Sequence, residues 1–412
     1  MLSAMRTLAP SAGLAERYTF FAPRDDFPLW QAVVSLKPAI ENGTAADPES
    51  LPLVGATDVS RRRALLRATG EAVERWALRP AVSARRDRNA GPCLDWMKYG
   101  LANGVLRGET LIGENRSTGA SVAVPVELID YDQSTTRLAL GAQGAYEPSP
   151  SGAAAGETCD HAVAAGVLEL LERDALMVAW ARQLRIERIE PSTLGDVSLA
   201  GLSSLVERIG LEVVVGDLGC DVDGVEAVIA ICLDRSAELG SVGSKASTSL
   251  VGAVVGAIQE SLQALRLGRA MRLGTGGSRP ATDRLPRTEM DRARYWAEPA
   301  AFAYLDGWAQ SFQPSGSSDP PARRSCVSAL ESTIRCGFEP LVVDLSARLP
   351  VEVRDAGWKA VKVLCPGLQP LRLDESLPFS WLQSRIMSAE HRTGFTSPLA
   401  SGEVFHVPHP LV

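Results

Sequence analysis

Two carboxylates and a guanidinium lie close together on one predicted helix. Glu169, Glu172 and Arg173 project from neighbouring points of one side of an α-helix, because residues three and four apart share a face. Most residues around them are apolar, and charges on a mostly buried helix are costly unless a partner pairs with them. This stretch is therefore the first candidate for a functional site.

The same pattern occurs earlier in the chain, as Glu71, Glu74 and Arg75. Two copies predict four carboxylates that point into one space. Like charges do not converge without cations, and carboxylates clustered without His or Cys favour a hard ion such as Mg²⁺. The prediction is a site for Mg²⁺ and a phosphorylated ligand. The alternative is two helices whose charges form only i,i+3 and i,i+4 surface pairs.

Three predicted helices position these side chains. Apolar periodicity predicts helices over about 60–78, 161–180 and 249–266, and the third of them carries Glu260. Thr158 or Asp160 is placed to cap the middle helix.

Small residues at 148–156 predict a loop that leads into the middle helix, where backbone N–H groups could approach an anion. A second loop is predicted at 239–244. Strands are predicted at 27–37, 121–131, 136–140, 211–217, 225–233, 341–344 and 360–365. This alternation predicts an α/β or α+β fold with a mixed sheet. The glycine motifs of Rossmann and P-loop nucleotide sites are absent from the sequence.

The composition excludes several classes of protein. A net charge of −7 and a pI near 5.4 argue against broad binding to nucleic acid. The chain has no apolar run of about 18 residues and no signal-peptide pattern, which predicts a cytoplasmic protein without membrane contact. Seven scattered cysteines without a Cys-x-x-Cys pair are typical of a reducing compartment. Four histidines argue against structural zinc.

The predicted organisation is an N-terminal segment, 1–54, followed by one domain, 55–412. Composition marks two linkers in that domain, near 274–286 and 314–324.

Five motifs, in order, resemble those of the YcaO family. They are Glu71-Ala-Val-Glu74-Arg75, the 151–156 loop, Glu169-Leu-Leu-Glu172-Arg173, Gly367 in Cys-Pro-Gly-Leu-Gln-Pro, and the final Pro408-His-Pro410. The resemblance runs from about residue 55 to the last residue. It implies a YcaO-like fold of mixed sheets and helices with a carboxylate-lined nucleotide site.

The family resemblance also implies the chemistry. YcaO proteins use ATP and Mg²⁺ to activate a peptide backbone amide, and a Cys, Ser or Thr nucleophile then gives a thiazoline or oxazoline. An amine nucleophile gives an amidine and a sulfide donor a thioamide, and both products stay open as alternatives. The predicted enzyme is a cyclodehydratase that modifies a ribosomally made precursor peptide, a step of natural product biosynthesis.

Site residues follow from the matched motifs. The metal ligands implied are Glu71, Glu74, Glu169, Glu172 and, by a weaker match, Glu260. The residues implied to bind the nucleotide are Arg75, Arg173, Glu71 and Glu172. The catalytic tail implied is Pro408, Pro410 and Val412, the last standing where the family pattern has a third proline.

Four positions depart from the family pattern. Arg67 and Ala165 stand where the family usually has serine, and His161 and Glu157 replace a metal-binding glutamate and an amide residue. Asp160 or Glu157 could compensate through a local shift. These departures keep open a second class of function, a non-catalytic scaffold that binds the precursor or a partner.

The expected partners are a precursor peptide and a separate E1-like protein that recognises its leader. The oligomeric state stays open, with a homodimer among the alternatives.

Overall fold

In the part of the chain that the structure describes, the helices pack against three antiparallel sheets. The computed structural model describes residues 2–38, 53–80, 92, 94, 109–131, 149–274, 284–314, 328–376 and 381–412. Within these ranges the sheets have the orders β1-β2-β3, β10-β9-β8-β7 and β5-β4-β11-β12-β6. The strands are β1 Ala15–Phe21, β2 Trp30–Leu36, β3 Leu53–Asp58, β4 Thr110–Asn115, β5 Ser121–Pro125, β6 Ala153–Gly156, β7 Glu187–Ile189, β8 Glu212–Asp217, β9 Glu226–Asp234, β10 Leu239–Ser247, β11 Leu341–Asp344 and β12 Lys359–Leu364.

The described helices range from one turn to seven turns in length. They are α1 Leu2–Thr7, α2 Arg61–Ala77, α3 Cys159–Arg182, α4 Val197–Arg208, α5 Leu250–Gly274, α6 Glu289–Ala297, α7 Pro299–Gln310, α8 Ala329–Arg335, α9 Val351–Asp355, α10 Gln383–Met387 and α11 Ala389–Thr393. No helix among the described residues is long and apolar enough to cross a membrane.

Three long helices run between or against the sheets. Helix α2 packs on β2 and β3 with one side and on β6 and β12 with the other. Helix α3 lies between β6 and β12 on one side and β9 and β10 on the other. Helix α5 covers the opposite face of β9 and β10 and also contacts β3. The three predicted carboxylate-bearing helices therefore share neighbouring strands.

The buried face of each helix follows from its sequence. Ala64, Leu65, Ala68 and Ala72 recur at helical spacing on α2, and all are at most 1% exposed, so this helix has one core face. Helix α3 is buried on most sides, because it lies between two sheets. Its first turn is capped as predicted, since Thr158 Oγ1 accepts the His161 N–H at 3.1 Å.

Two predicted loops are strands. Residues 239–244 belong to β10, and residues 153–156 form β6, which pairs with β12. The glycines and small residues that suggested loops serve close packing instead. A Cβ at Gly243 would lie 2.2 Å from the Ala257 carbonyl oxygen and the Ser261 amide nitrogen, so only glycine lets α5 approach this strand.

Three further sequence predictions concern the fold class, the strand at 136–140 with the two linkers, and the division at residue 54. The mixed α+β class is confirmed, although the strands pair in antiparallel fashion throughout the described ranges. The predicted strand at 136–140 and most of both predicted linkers lie outside the described residues. Strands β1 and β2 of the N-terminal segment pair with each other, and β2 pairs with β3 of the following region. The division at residue 54 stays a prediction.

Substituting Gly243→Ala should lower the thermal midpoint, because the added methyl group collides with the backbone of α5. Overpacking of this kind costs about 2 kcal/mol. The matched control is Gly307→Ala on α7, where no atom lies within 4 Å of the added Cβ. That change should stabilise the protein by about 0.5–1 kcal/mol. Equal midpoints for the two variants, measured by scanning calorimetry, would contradict the packing argument.

Candidate functional site

Glu172 is the most deeply held carboxylate of the site. Its side chain is 1% exposed and accepts hydrogen bonds from Ser244 Oγ at 2.7 Å, from the Ala246 N–H at 3.2 Å and from Arg173 at 2.5 Å. Lys245 lies 3.7 Å away. Burial alone would raise the pKa of Glu172, but the cations and donors around it hold that pKa below its ordinary value. Glu172 is therefore a fixed anion.

Glu169 shares the same arginine and also binds backbone. Arg173 lies 3.3 Å from one of its oxygens, and the Gly152 N–H donates to the other at 3.1 Å. Gly152 has φ +81°, and a Cβ there would lie 2.2 Å from the Val363 carbonyl oxygen. The pKa of Glu169 is raised, because burial outweighs the attraction of Arg173. Glycine is thus required where the loop meets the carboxylate.

The second glutamate pair lies on α2. Arg75 pairs with Glu71 at 3.1 Å and with Glu289 of α6 at 3.4 Å. Tyr131 donates its hydroxyl to Glu289 at 3.0 Å. Through these contacts Arg75 joins α2, the helix that carries it, to α6.

Glu74 links the two glutamate pairs. Burial raises its pKa well above the ordinary value, and the charges of Glu71 and Glu169 raise it further. Lys362 on β12 is 1% exposed, and its charge acts favourably on both Glu74 and Glu169. The charges of the two glutamate pairs therefore act on each other, whereas a shared metal site for them stays a prediction.

Lys362 is itself held by backbone. Its ammonium donates to the carbonyls of Ser149 and Ser151, the latter at 2.7 Å. Burial lowers the pKa of Lys362 to about 8, although Glu169 and Glu74 oppose that shift. Lys362 therefore connects the loop at 149–151 to β12, and its charge acts on Glu74 and Glu169.

Glu260 stands at the edge of the cluster. Lys245 lies 3.4 Å and Arg67 3.7 Å from its carboxylate. Arg67 also donates to Gln259 Oε1 at 2.7 Å and to the Thr57 carbonyl at 2.9 Å. The arginine that replaces a serine of the family pattern thus places a guanidinium in this region. A metal-binding role for Glu260 stays a prediction.

The replacements at the start of α3 lie on an exposed turn. His161 and Glu157 are exposed, and the Asp160 carboxylate is 91% exposed and lies 3.8 Å from Arg116. Compensation by Asp160 therefore has no support in the geometry. His161 stands at the first turn of the helix, as a capping or packing residue would.

The predicted catalytic tail is anchored against α3. Trp180 donates its indole N–H to the Val407 carbonyl at 2.9 Å. Pro408 and Pro410 are buried, whereas Val412 is 39% exposed. The charge of Arg173 contributes to a lowered pKa at His409, so the tail comes near the charged side of α3. Catalytic roles for Pro408, Pro410 and Val412 stay predictions.

The residues of the cluster fit a ligand that carries both a cation and phosphates. Burial raises the pKa values of Glu74 and Glu169, and the cations beside them do not offset that shift. Ser151 Oγ and Arg173 Nε are buried and have no hydrogen-bond partner among the described residues. In those same residues, no group of three or more His, Cys, Asp or Glu is arranged to hold a metal by itself. Mg²⁺ commonly takes only one or two carboxylates together with phosphate oxygens and water.

Sequence reasoning missed four members of this cluster: Arg67, Ser244, Lys245 and Lys362. Lys362 interrupts an apolar strand, and that signal could have identified it. Ser244 and Lys245 escape the sequence analysis because a loop, and no strand, is predicted at 239–244. Arg67 was noticed only as a departure from the family pattern.

A family model described as "YcaO cyclodehydratase", ATP- and Mg²⁺-binding, matches residues 55–369. This description contains the two cofactors that the sequence analysis predicted.

Solved structures share the fold. A heterocyclase in complex with substrate and cofactor has a TM-score of 0.70 at 15% identity, covering 99% of this chain and 57% of that one. A YcaO protein of Methanopyrus kandleri bound with AMPPCP and Mg²⁺ has a TM-score of 0.65 at 20% identity, covering 89% of each chain. The E. coli microcin synthetase McbBCD complex with pro-MccB17 bound contains a chain with a TM-score of 0.61 at 12% identity, covering 85% of this chain and 88% of that one.

A relative by sequence comes from Rhizobium leguminosarum bv. trifolii. It is described as an uncharacterized protein in the tfuA 3′ region and is 28% identical over 267 residues, 61% of this chain. The match spans 59% of the length of that relative.

Substituting Glu74→Gln should stabilise the protein without ligands at pH 8, by about 2 °C in thermal midpoint. The neutral amide avoids the cost of a buried, repelled carboxylate. Because the pKa of Glu74 is raised in the folded state, the gain should vanish near pH 4, grow as the pH rises from the ordinary pKa of a glutamate towards the raised one, and stay constant above it.

Addition of Mg²⁺ with ATP should raise the midpoint of the wild type and leave the Glu74→Gln variant nearly unchanged. The control is Glu207→Gln, an exposed glutamate on α4, which should behave as the wild type does. If the Glu74→Gln variant without ligands has a lower thermal midpoint than the wild type at pH 8, Glu74 is not a carboxylate that lacks a countercharge.

Proposed function

The chain belongs to the YcaO family, and on that premise we propose that it is an ATP- and Mg²⁺-dependent cyclodehydratase. The reaction converts backbone amides of a ribosomally made precursor peptide into thiazoline or oxazoline rings. The observation that carries this proposal is the Arg173 guanidinium 3.3 Å from Glu169, together with a second carboxylate, Glu74, whose pKa is raised by burial and by the charges of Glu71 and Glu169. Such a cluster suits a ligand that brings its own cation and its own anion.

Each set of residues has a proposed task. Glu71, Glu74, Glu169 and Glu172 hold the metal, with Glu260 at the margin. Glu71 and Glu172 also contribute to the nucleotide site. When bound, Mg·ATP would supply the phosphoryl group for the amide oxygen, and its Mg²⁺ would offset negative charge on the phosphates.

The cations of the cluster have the complementary task. Arg75 and Arg173 bind phosphate oxygens, because a guanidinium offers several donors in a planar fork. Arg173 is already oriented by Glu169 and Glu172. A preorganised donor of this kind stabilises developing charge without further reorganisation.

The C-terminal residues Pro408, Pro410 and Val412 are proposed to complete the site on the peptide side. Their support is the position of the tail on α3, the helix that carries Glu169 and Glu172. A proline-rich segment offers few backbone donors, which leaves its carbonyls available to nearby groups.

The proposed partners are the precursor peptide and a separately encoded, E1-like protein that binds its leader. The E. coli microcin synthetase complex with pro-MccB17 bound supports this proposal by likeness of fold. We also propose a cytoplasmic location, in keeping with five free cysteines among the described residues.

A second candidate is a scaffold that binds the precursor or an active relative without turnover. Arg67 favours it, because this arginine lies 3.7 Å from Glu260 and adds a fixed cation beside the cluster. The two candidates differ in whether Mg²⁺-dependent ATP binding occurs, which calorimetry measures directly.

The main experiment combines the purified protein, the candidate partner, ATP, Mg²⁺ and the precursor peptide. The expected result is a peptide that loses the mass of water for each ring, with release of phosphate. Tandem mass spectrometry should place the change at Cys, Ser or Thr, whereas a bond at an amine would indicate an amidine and a gain of sulfur would indicate a thioamide. No mass change and no ATP turnover would refute the enzyme.

Substituting Glu172→Gln should reduce phosphate release on the order of 10²–10³-fold, because it removes a fixed anion from the proposed metal site. The Glu207→Gln variant serves again as the matched control. Phosphate release is followed by a coupled assay, and calorimetry reports Mg·ATP affinity. Turnover at the wild-type rate would remove Glu172 from the site.

A further inference from the structure

The C-terminal tail is held through its backbone carbonyls. Between Val407 and Leu411 the prolines lack an N–H, so the segment offers one peptide N–H between them, that of His409. This N–H donates to Glu375 at 3.4 Å. The Val407 carbonyl accepts from Trp180, and the His409 carbonyl accepts from Trp296 at 3.0 Å and from Arg292 at 2.9 Å. Side chains, not a sheet, therefore fix the path of the tail.

Arg292 makes the largest share of these contacts. Its side chain is 1% exposed and, besides the tail, donates to the carbonyls of Arg372 at 3.1 Å and Leu373 at 2.9 Å. It also pairs with Glu375 at 2.9 Å. One side chain from α6 thus joins two separate irregular segments, 372–375 and 407–410.

The contacts between α6 and these two segments require an arginine. Several acceptors lie around one buried cation, and only the planar fork of a guanidinium presents enough donors in fixed directions. Glu375 is 7% exposed and supplies the countercharge without which a buried guanidinium would be strongly destabilising. It also pairs with Arg372 at 3.1 Å.

The geometry points to Arg292 as a positioning residue, one that clamps the tail segment 407–410 in its place beside α3. This inference rests on the proposed function in one respect, the role of the tail in catalysis. The clamp itself concerns only the position of the tail. The contacts described for Arg292 are with the tail and with residues 372–375, so a change at Arg292 would reach the carboxylate cluster through these segments.

The contacts and the charge of His409 also fit a tail that Arg292 holds in one position. Its Nε2 lies within hydrogen-bond distance of the Arg372 carbonyl, and Nδ1 is buried without a partner among the described residues. Burial, followed by the charge of Arg292, lowers the pKa of His409 well below its ordinary value. The ring is therefore neutral near pH 7, which avoids a second positive charge against Arg292.

The test compares Arg292→Met with the wild type in two independent measurements. Hydrogen exchange over residues 404–412 should become about tenfold faster or more in the variant, because the tail loses its main anchor. Peptide-dependent phosphate release should fall on the order of 10²-fold in kcat. The KM for Mg·ATP should stay unchanged, since the nucleotide site is untouched.

Arg294→Met is the matched control. This arginine lies on the same helix, is 51% exposed and pairs only loosely with Asp291, at 3.8 Å. Its exchange and kinetics should equal those of the wild type. Arg292→Lys, which keeps the charge without the fork, should restore only part of the exchange protection and of kcat.

Unchanged exchange in Arg292→Met would overturn the clamp, whereas a kcat that stays high while the tail is released would overturn the role of Arg292 as a positioning residue for catalysis. If Arg292→Met does not fold, Trp296→Phe decides, because it removes only the indole donor to the His409 carbonyl and should give an intermediate increase in exchange. A wild type without any turnover would refute the proposed function instead, and the exchange measurement would still test the clamp.

Discussion

The structure depends on a balance between clustered glutamates and the cations beside them. Helices α2, α3 and α5 each bring carboxylates to one region, and Arg67, Arg75, Arg173, Lys245 and Lys362 neutralise them there. The balance is incomplete, since Glu74 and Glu169 keep raised pKa values. Charge that is only partly compensated costs stability, and it is a state that a cationic ligand relieves.

Close packing makes this convergence possible. Gly152 and Gly243 occupy points where a Cβ would lie 2.2 Å from backbone atoms of a neighbouring element. Gly152 lets the loop before β6 lie against β12, which carries Lys362, and Gly243 lets α5 lie against β10, which carries Lys245. The small residues are therefore as much a part of the site as the charges are, because they set the distances over which the charges act.

Helix α3 also organises the C-terminal third of the chain. Asp174 accepts hydrogen bonds from the Gln369 N–H and from Arg385, and Arg182 donates to the carbonyls of Leu399 and Ala400. These buried charge-assisted contacts fix irregular segments that have no sheet to hold them. The same helix thus carries the proposed metal ligands on one part of its surface and the anchors of the tail on another, which couples the position of the tail to that of the site.

Helical periodicity in the sequence by itself determined the three carboxylate-bearing helices and the side on which Glu71, Glu74, Glu169 and Glu172 lie, because helical spacing is a local property. Only the tertiary structure decided what neutralises them. Lys245 and Lys362 come from strands far away in the chain, and the small residues of β6 and β10 look like loops until a partner helix or strand lies against them. The tail likewise shows two prolines in the sequence, whereas its clamp, Arg292, is separated from it by more than a hundred residues. Such long-range pairings depend on the packed fold and leave no local pattern.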